Sequence, residues 1–202
     1  MMLGIVFFKS AIATNSSVSG SSMKPTLLDG DNVWVNRLAY DVKIPFTEIS
    51  LKALSNPKRG DIIIIDSKAA DKRLIKRIIG IPGDTVLIRD NAVVINGVAV
   101  NYEIVSQDES SLIIIEELPA HSHRAMITDS RHYRSSRNFG PVKVPEGEFF
   151  VLGDNRDNSA DSRVYSFIPR QEIYGRSNSV LFSLDKENYY LPRPSRFFSG
   201  IE

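Results

Sequence analysis

The sequence contains no cysteine. That excludes disulfides, thiolate nucleophiles and Cys-based metal or iron–sulfur sites. Three histidines leave little room for a His-rich metal centre, and no metal or other cofactor is expected. An excess of one charge is also missing: 25 Lys and Arg stand against 24 Asp and Glu, for a formal charge of +1. A protein that lives by binding a nucleic-acid backbone carries a clear basic excess, so no nucleic-acid partner is expected. Long apolar runs are absent as well. Met1 to Phe8 is apolar, but Lys9 interrupts it, and a membrane-spanning helix needs about 20 apolar residues. No Lys or Arg precedes the run, so it lacks the basic flank of a secretory leader. Two readings of it stand: a short buried strand or frayed end, or the last turns of a membrane helix that begins outside this chain.

What is present is an ordinary globular composition. The 202 residues are 42% hydrophobic and 24% charged, enough for one buried core with a modest insertion. Short strand-like segments dominate. Asn32 to Asn36 follows the turn Asp29-Gly30-Asp31. Asp61 to Asp66 encloses four consecutive isoleucines, the pattern of a strand buried on both faces. Further strands are expected at 73–81, 85–89, 92–95, 112–115, 124–128 and 148–152, with turns at Asp90-Asn91 and Asn96-Gly97. Helical periodicity is scarce, and residues 47–55 hold the one candidate helix. The stretches Ser106–Ser111 and Ser130–Asn138 read as loops. The fold class is therefore all-β, or β with a few short helices.

Four clusters offer chemistry. In Ser19-Gly20-Ser21-Ser22-Met23-Lys24-Pro25-Thr26-Leu27, small residues permit a sharp turn and close approach of a substrate. Pro25 disfavours helix at Lys24, which sets Ser22 in an extended or turn segment. Taken alone, such a string is more often a Ser-rich surface loop. The second cluster is Arg73 to Asp84. Read as a strand, it places Leu74, Lys76 and Ile78 on one face. A lysine so flanked commonly snorkels to solvent. If buried, it loses the stability of its ammonium and becomes a general base. The third is the polar run Gly153 to Arg163, with three Asp, two Asn and two Ser, suited to Asx-turns and internal hydrogen bonds. As a calcium loop it lacks the acid spacing and the distal Glu. The fourth, Arg59-Gly60-Asp61, is followed at once by the isoleucines, so it reads as a turn that starts a strand rather than an exposed adhesion tip.

Two decoys belong beside these. Ser21-Ser22-Met23-Lys24 matches the Ser-x-x-Lys signature, but that motif works on a helix, which Gly20 and Pro25 oppose. A Ser-His-Asp triad would draw on His121, His123 or His132, all in a polar stretch that reads as loop.

Together and in this order, Ser22 to Thr26, Arg59 to Ile62, Lys76-Arg77 with Gly80 to Asp84, and Gly153 to Arg163 resemble four sequence boxes of bacterial type I signal peptidases. The resemblance extends through Val33 to Phe46, Phe167 to Pro169 and Ile173 to Gly175, and covers residues 5–185. It implies a membrane-bound serine endopeptidase with a Ser-Lys dyad that removes signal peptides from exported preproteins at the outer face of the bacterial cytoplasmic membrane. It also implies a mostly-β catalytic core (15–84 and 145–185), an inserted β subdomain (85–144), an N-terminal segment (1–14) that is the remnant of an anchor, and a C-terminal tail (186–202). The short interval between Asp84 and Gly153 makes the insertion compact.

By the same resemblance Ser22 is the nucleophile, Lys76 the general base, and Ser159 the serine that orients the lysine. Asp161 and Arg163 fall on a structural ion pair. The oxyanion donors are the Ser22 N–H and one further group, which is a Gly20 contact, the Ser21 hydroxyl or water. Small residues before the cut are expected in the substrate, against a shallow pocket walled by Met23, Leu27 and Leu74. A membrane lipid surface is the other expected partner. Other readings are a related Ser-Lys peptidase with a dedicated substrate, as in pilin maturation, a self-cleaving repressor, for which no DNA-binding domain precedes Ser22, and an inactive homologue.

Overall fold

Ile62 to Ile65 are all buried and form the middle of the molecule's main sheet. The structure, a computed structural model, describes residues 12–44, 47, 49–128 and 137–201. The Leu3–Phe8 run, Pro45-Phe46 and His132 lie outside these residues. The main sheet runs in the order Ala13–Ser17, Asp31–Asn36, Ile173–Asp185, Ile62–Ser67, Lys72–Gly80, Glu148–Leu152 and Ile168–Pro169, and Leu191–Pro192 pairs with the long strand Ile173–Asp185. Every pairing is antiparallel.

The isoleucine strand has a core on each face, because side chains alternate along a strand. Ile62 and Ile64 pack with Met23, Leu27, Val33, Val35 and Val180. Ile63 and Ile65 pack with Leu74, Ile78, Phe149, Val151 and Ile173. The register sets Ile63 opposite Lys76 and Ile62 opposite Arg77. Within the strand Lys72–Gly80, Glu148–Leu152 pairs only with Arg77 to Gly80, so Lys72–Lys76 has an edge that this strand does not cover.

Residues 85–143 build two further sheets. Thr85–Arg89, Ala92–Ile95, Val98–Ala99 and Phe139–Lys143 form one, and Asn101–Gln107, Ser111–Leu118 and His121–Thr128 the other. Asp90 and Asn91 take φ of 48° and 66°, the left-handed turn that joins the first hairpin. A third buried cluster, including Ile79, Val86, Val93, Leu118, Phe150 and Leu152, joins these sheets to the main one.

The helix expected over 47–55 is not there. Ser50–Ala53 is an exposed strand paired with Asp41–Lys43. A nine-residue helix without a buried face is marginal, and a hairpin partner closes more backbone bonds. The stretch around the histidines is also not loop: His121 opens a strand that runs to Thr128. Helical structure among the described residues is confined to Ser162–Tyr165 and three 3₁₀ turns. No helix among the described residues is long and apolar enough to cross a membrane.

Candidate active site

Ser22 sits in the connection between strands Ala13–Ser17 and Asp31–Asn36. Val18, Met23 and Leu27 bury their side chains in the core and pin that connection on either side of Ser22, which stays partly exposed. The segment closes as tight turns: Lys24 N–H donates to Ser21 O at 3.1 Å, and Leu27 N–H to Met23 O at 2.9 Å. Gly20 has φ of +89°, which strains any residue with a Cβ.

Lys76 points at this turn from 54 residues away in sequence, with Nζ 2.9 Å from Ser22 Oγ. It is 3% exposed, between the buried Leu74 and Ile78. Burial lowers its pKa from 10.5 to about 8, against the pull of Asp161 and Asp154, which favour the ammonium; Lys72 and Arg163 add repulsion. The lysine does not snorkel.

The polar run Gly153–Arg163 folds over the Ser22 turn. Asn155 donates its backbone N–H to Ser22 O at 3.0 Å and its Nδ2 to Ser21 O at 3.1 Å. Asn158 Nδ2 donates to Ser21 Oγ at 2.6 Å. At Gly153 a Cβ would lie 2.3 Å from Ser159 Oγ and 2.5 Å from Ser22 O, so glycine alone permits this approach. Asp161 accepts from Gly153 N–H at 3.0 Å and from Arg163 Nε and Nη2, each at 2.8 Å. Burial alone would raise the Asp161 carboxyl, but the Arg163 guanidinium outweighs it and holds it low.

A second tier lies beneath. Arg77 grips Asp154 through two bonds of 2.9 and 2.8 Å, and Thr26 Oγ donates to the same carboxylate at 2.6 Å. Arg156 grips Glu116 at 2.7 and 2.6 Å. Both carboxyls are buried, which would raise them, yet the paired guanidiniums keep each below its ordinary value. The Arg156–Glu116 pair ties the polar run to the strand Ser111–Leu118, which supplies Glu116. His123 lies between the carboxylates, and burial together with Arg77 pushes it down to about 3, so it stays neutral. His121 stacks on His123 and approaches Arg77, not Ser22.

The expected residues thus fall as follows. Ser22 and Lys76 touch. Asp161 and Arg163 pair. Ser159 is buried beside Gly153 with its Oγ near the Asp161 carboxylate and not bonded to Lys76, so the expected contact with the lysine is not formed. Gly20 is not a free oxyanion donor, because its N–H is engaged by Asp29 Oδ1 at 3.1 Å. The Ser22 N–H meets no protein acceptor among the described residues. Met23 and Leu74 line a cleft of about 520 Å³ that also borders Ser22, Lys76, Asn158 and Ala160. Leu27 does not line it; its side chain is 0% exposed and belongs to the core. Arg59-Gly60-Asp61 is structural: Arg59 pairs with Asp84, Asp61 accepts from Tyr40, and Gly60 O accepts from Arg77.

Sequence reasoning missed the clamping roles of Asn155, Asn158, Thr26 and Asp154. The only signal for Asp154, Asn155 and Asn158 was the density of short amide and carboxylate side chains after Leu152, which does not say what they bond, and Thr26 carried none.

A family model described as signal peptidase, peptidase S26, matches residues 1–182. The chain is 34% identical over 170 residues to signal peptidase I of Bacillus licheniformis, covering 84% of this chain and 76% of that protein. It is 35% identical over 170 residues to signal peptidase I T of Bacillus subtilis (84% and 74% covered). Signal peptidase I of Aquifex aeolicus is 32% identical over 219 residues (91% and 81% covered). A crystal structure of a signal peptidase I from Enterococcus faecalis aligns with a TM-score of 0.40 and 30% identity over 61% of this chain and 97% of that one.

Proposed function

Because the chain belongs to the peptidase S26 family of signal peptidases, and is thus a serine endopeptidase that removes signal peptides, we propose that Ser22 and Lys76 are its catalytic dyad. The observation that carries this reading is the 2.9 Å contact between Ser22 Oγ and a lysine 3% exposed. A serine hydroxyl needs a base to take its proton. Burial makes the neutral amine accessible near neutral pH.

Neutral Lys76 Nζ accepts the Ser22 proton as Oγ attacks the scissile carbonyl. The developing oxyanion meets the Ser22 N–H, which no protein acceptor among the described residues engages. The second donor is the Ser21 hydroxyl or water, since Gly20 N–H is committed to Asp29. The lysine then protonates the leaving amine, an acyl-enzyme remains, and Lys76 activates the water that releases it. Ser159, buried beside Asp161, is the group we assign to turning Nζ toward these positions. Asp161 with Arg163, and Asn155, hold the loop that supports the turn.

The substrate segment enters the cleft along the uncovered edge Lys72–Lys76 and adds as a further strand. Met23 and Leu74 there favour small residues before the cut. The catalytic core is residues 15–84 and 145–185, with 85–144 inserted. The enzyme works on a lipid surface at the outer face of the cytoplasmic membrane. Exposed Tyr189, Tyr190 and Phe198 beside Arg193 and Arg196 suit such an interface. The test is a preprotein with an Ala-x-Ala site, offered to the parent chain and to S22A and K76A. Cleavage by the parent alone supports the dyad; equal cleavage by either variant overturns it.

A further inference from the structure

We propose that Arg196 is a positioning residue for the nucleophile loop, and that the C-terminal tail is the strap that carries it. The inference rests on the reading of Ser22 as nucleophile. The tail follows the residues that the family model matches, which end at 182. It returns along the main sheet: Phe198 N–H donates to Leu181 O, Val180 N–H to Ser199 O, and Ile201 N–H to Asn178 O. These backbone bonds fix Arg196 over the loop that leaves Ser22.

Arg196 closes three bonds there. Nε donates to Asp31 Oδ1 at 2.9 Å, Nη2 to Asp31 Oδ2 at 2.5 Å, and Nη2 also to Thr26 O at 3.0 Å. Asp31 is buried and accepts the Leu28 N–H at 2.8 Å, so its carboxylate ties both ends of the 26–31 turn to one guanidinium. Thr26 in turn bonds Asp154. Two neighbours reinforce the strap: Arg193 Nη1 donates to Asp29 O at 3.0 Å, and Lys186 Nζ to Asp29 Oδ1 at 2.8 Å. Asp29 is the acceptor of Gly20 N–H, two residues before Ser22. The strap therefore grips the nucleophile turn from both flanks. Bonds to charged groups are the strong ones, and a planar fork is needed to hold a carboxylate and a carbonyl at once.

The experiment uses the full chain, with preprotein cleavage and hydrogen exchange read on the same samples. Arg196→Ala is expected to speed exchange in residues 22–31, with the strand Ile62–Ser67 unchanged. It should lower kcat about tenfold and leave KM within about twofold, since misplacing a reacting group acts on the chemical step. Arg196→Lys should recover part of kcat. The double variant D31N/R196A removes the buried unpaired carboxylate, so it should regain thermal stability but not kcat. Val98→Thr, at a site 71% exposed and away from the strap, should match the parent. Unchanged exchange in 22–31 overturns the proposal, and so does a double variant that regains kcat along with stability. If the parent itself cleaves no preprotein, the functional reading fails, while exchange still decides whether the strap holds the loop.

Discussion

Lys76 Nζ and Ser22 Oγ meet at 2.9 Å although 54 residues separate them. The contact requires the isoleucine strand between them, because that strand buries both the lysine's own strand and the side chains Met23 and Leu27 that pin the serine turn. Leu74 and Ile78, on either side of the lysine, pack on one face of that strand, and Met23 and Leu27, beside the serine, on the other. The arrangement resists rearrangement because each half is anchored in packed core.

The first prediction concerns pH. A lysine lowered to about 8 is mostly protonated at pH 6 and mostly neutral at pH 9. The base works only when neutral, so kcat/KM should rise with pH through about 8. A profile flat from about pH 6 to about pH 10 on a substrate limited by chemistry would exclude Lys76 as the base. Ser159→Ala should lower kcat while leaving the position of this limb in place, since Ser159 makes no hydrogen bond to the lysine at rest.

Lysine burial also has a stability signature. The pKa falls from 10.5 unfolded to about 8 folded, so between these values the unfolded chain holds a proton that the native one lacks. Stability therefore rises with pH across that window. Below pH 8 both states are protonated and the penalty of the desolvated ammonium is present in full, on the order of 3 kcal/mol. Lys76→Met should be inactive yet melt above the parent at pH 6–7, with the gain shrinking toward pH 10. A Tm below the parent at both ends of that range would contradict this account of burial.

The buried pairs should matter far more than exposed ones. Removing Arg156 leaves Glu116 charged and buried without its guanidinium, so Arg156→Ala should destabilise by about 3–5 kcal/mol in denaturant unfolding. Arg73 also pairs with a carboxylate, Asp66, but both are about one-third exposed or more. Arg73→Ala should change stability by less than about 1 kcal/mol. Equal losses for the two would mean that burial does not set the worth of these pairs.

What could be read from the sequence depended on whether a residue's environment is local. Ile62–Ile65 and the Asp90-Asn91 hairpin were legible because a β-branched run and a left-handed turn carry their signal in a few adjacent residues. Strand Ile173–Asp185 was not. It carries polar residues at buried positions (Ser177, Ser183) and three register shifts in its pairings, which erase the two-residue alternation. Ser22 and Lys76 were legible as residue types in a known order of boxes. The engagement of Gly20 by Asp29, the core position of Leu27 and the clamp by Asn155 were not, because each depends on which atoms the tertiary fold brings opposite.

The cleft gives the last prediction, on substrate choice. Of the three side chains expected to wall it, Met23 and Leu74 do, and Leu27 is withdrawn into the core. Met23 is itself nearly buried, so only a limited part of it faces the cleft. A pocket floored by a packed methionine deepens only by moving core, and overpacking such a site costs about 1–3 kcal/mol. That corresponds to roughly 10- to 100-fold in rate between a small and a large residue. In a series of preproteins with Ala, Leu or Phe directly before the cut, kcat/KM should fall from Ala to Leu to Phe. Met23→Ala should open the floor and raise Leu relative to Ala. If all three substrates are cut equally by the parent, Met23 and Leu74 do not wall the pocket. If the parent discriminates but Met23→Ala leaves the Leu-to-Ala ratio unchanged, the selection is made elsewhere in the cleft.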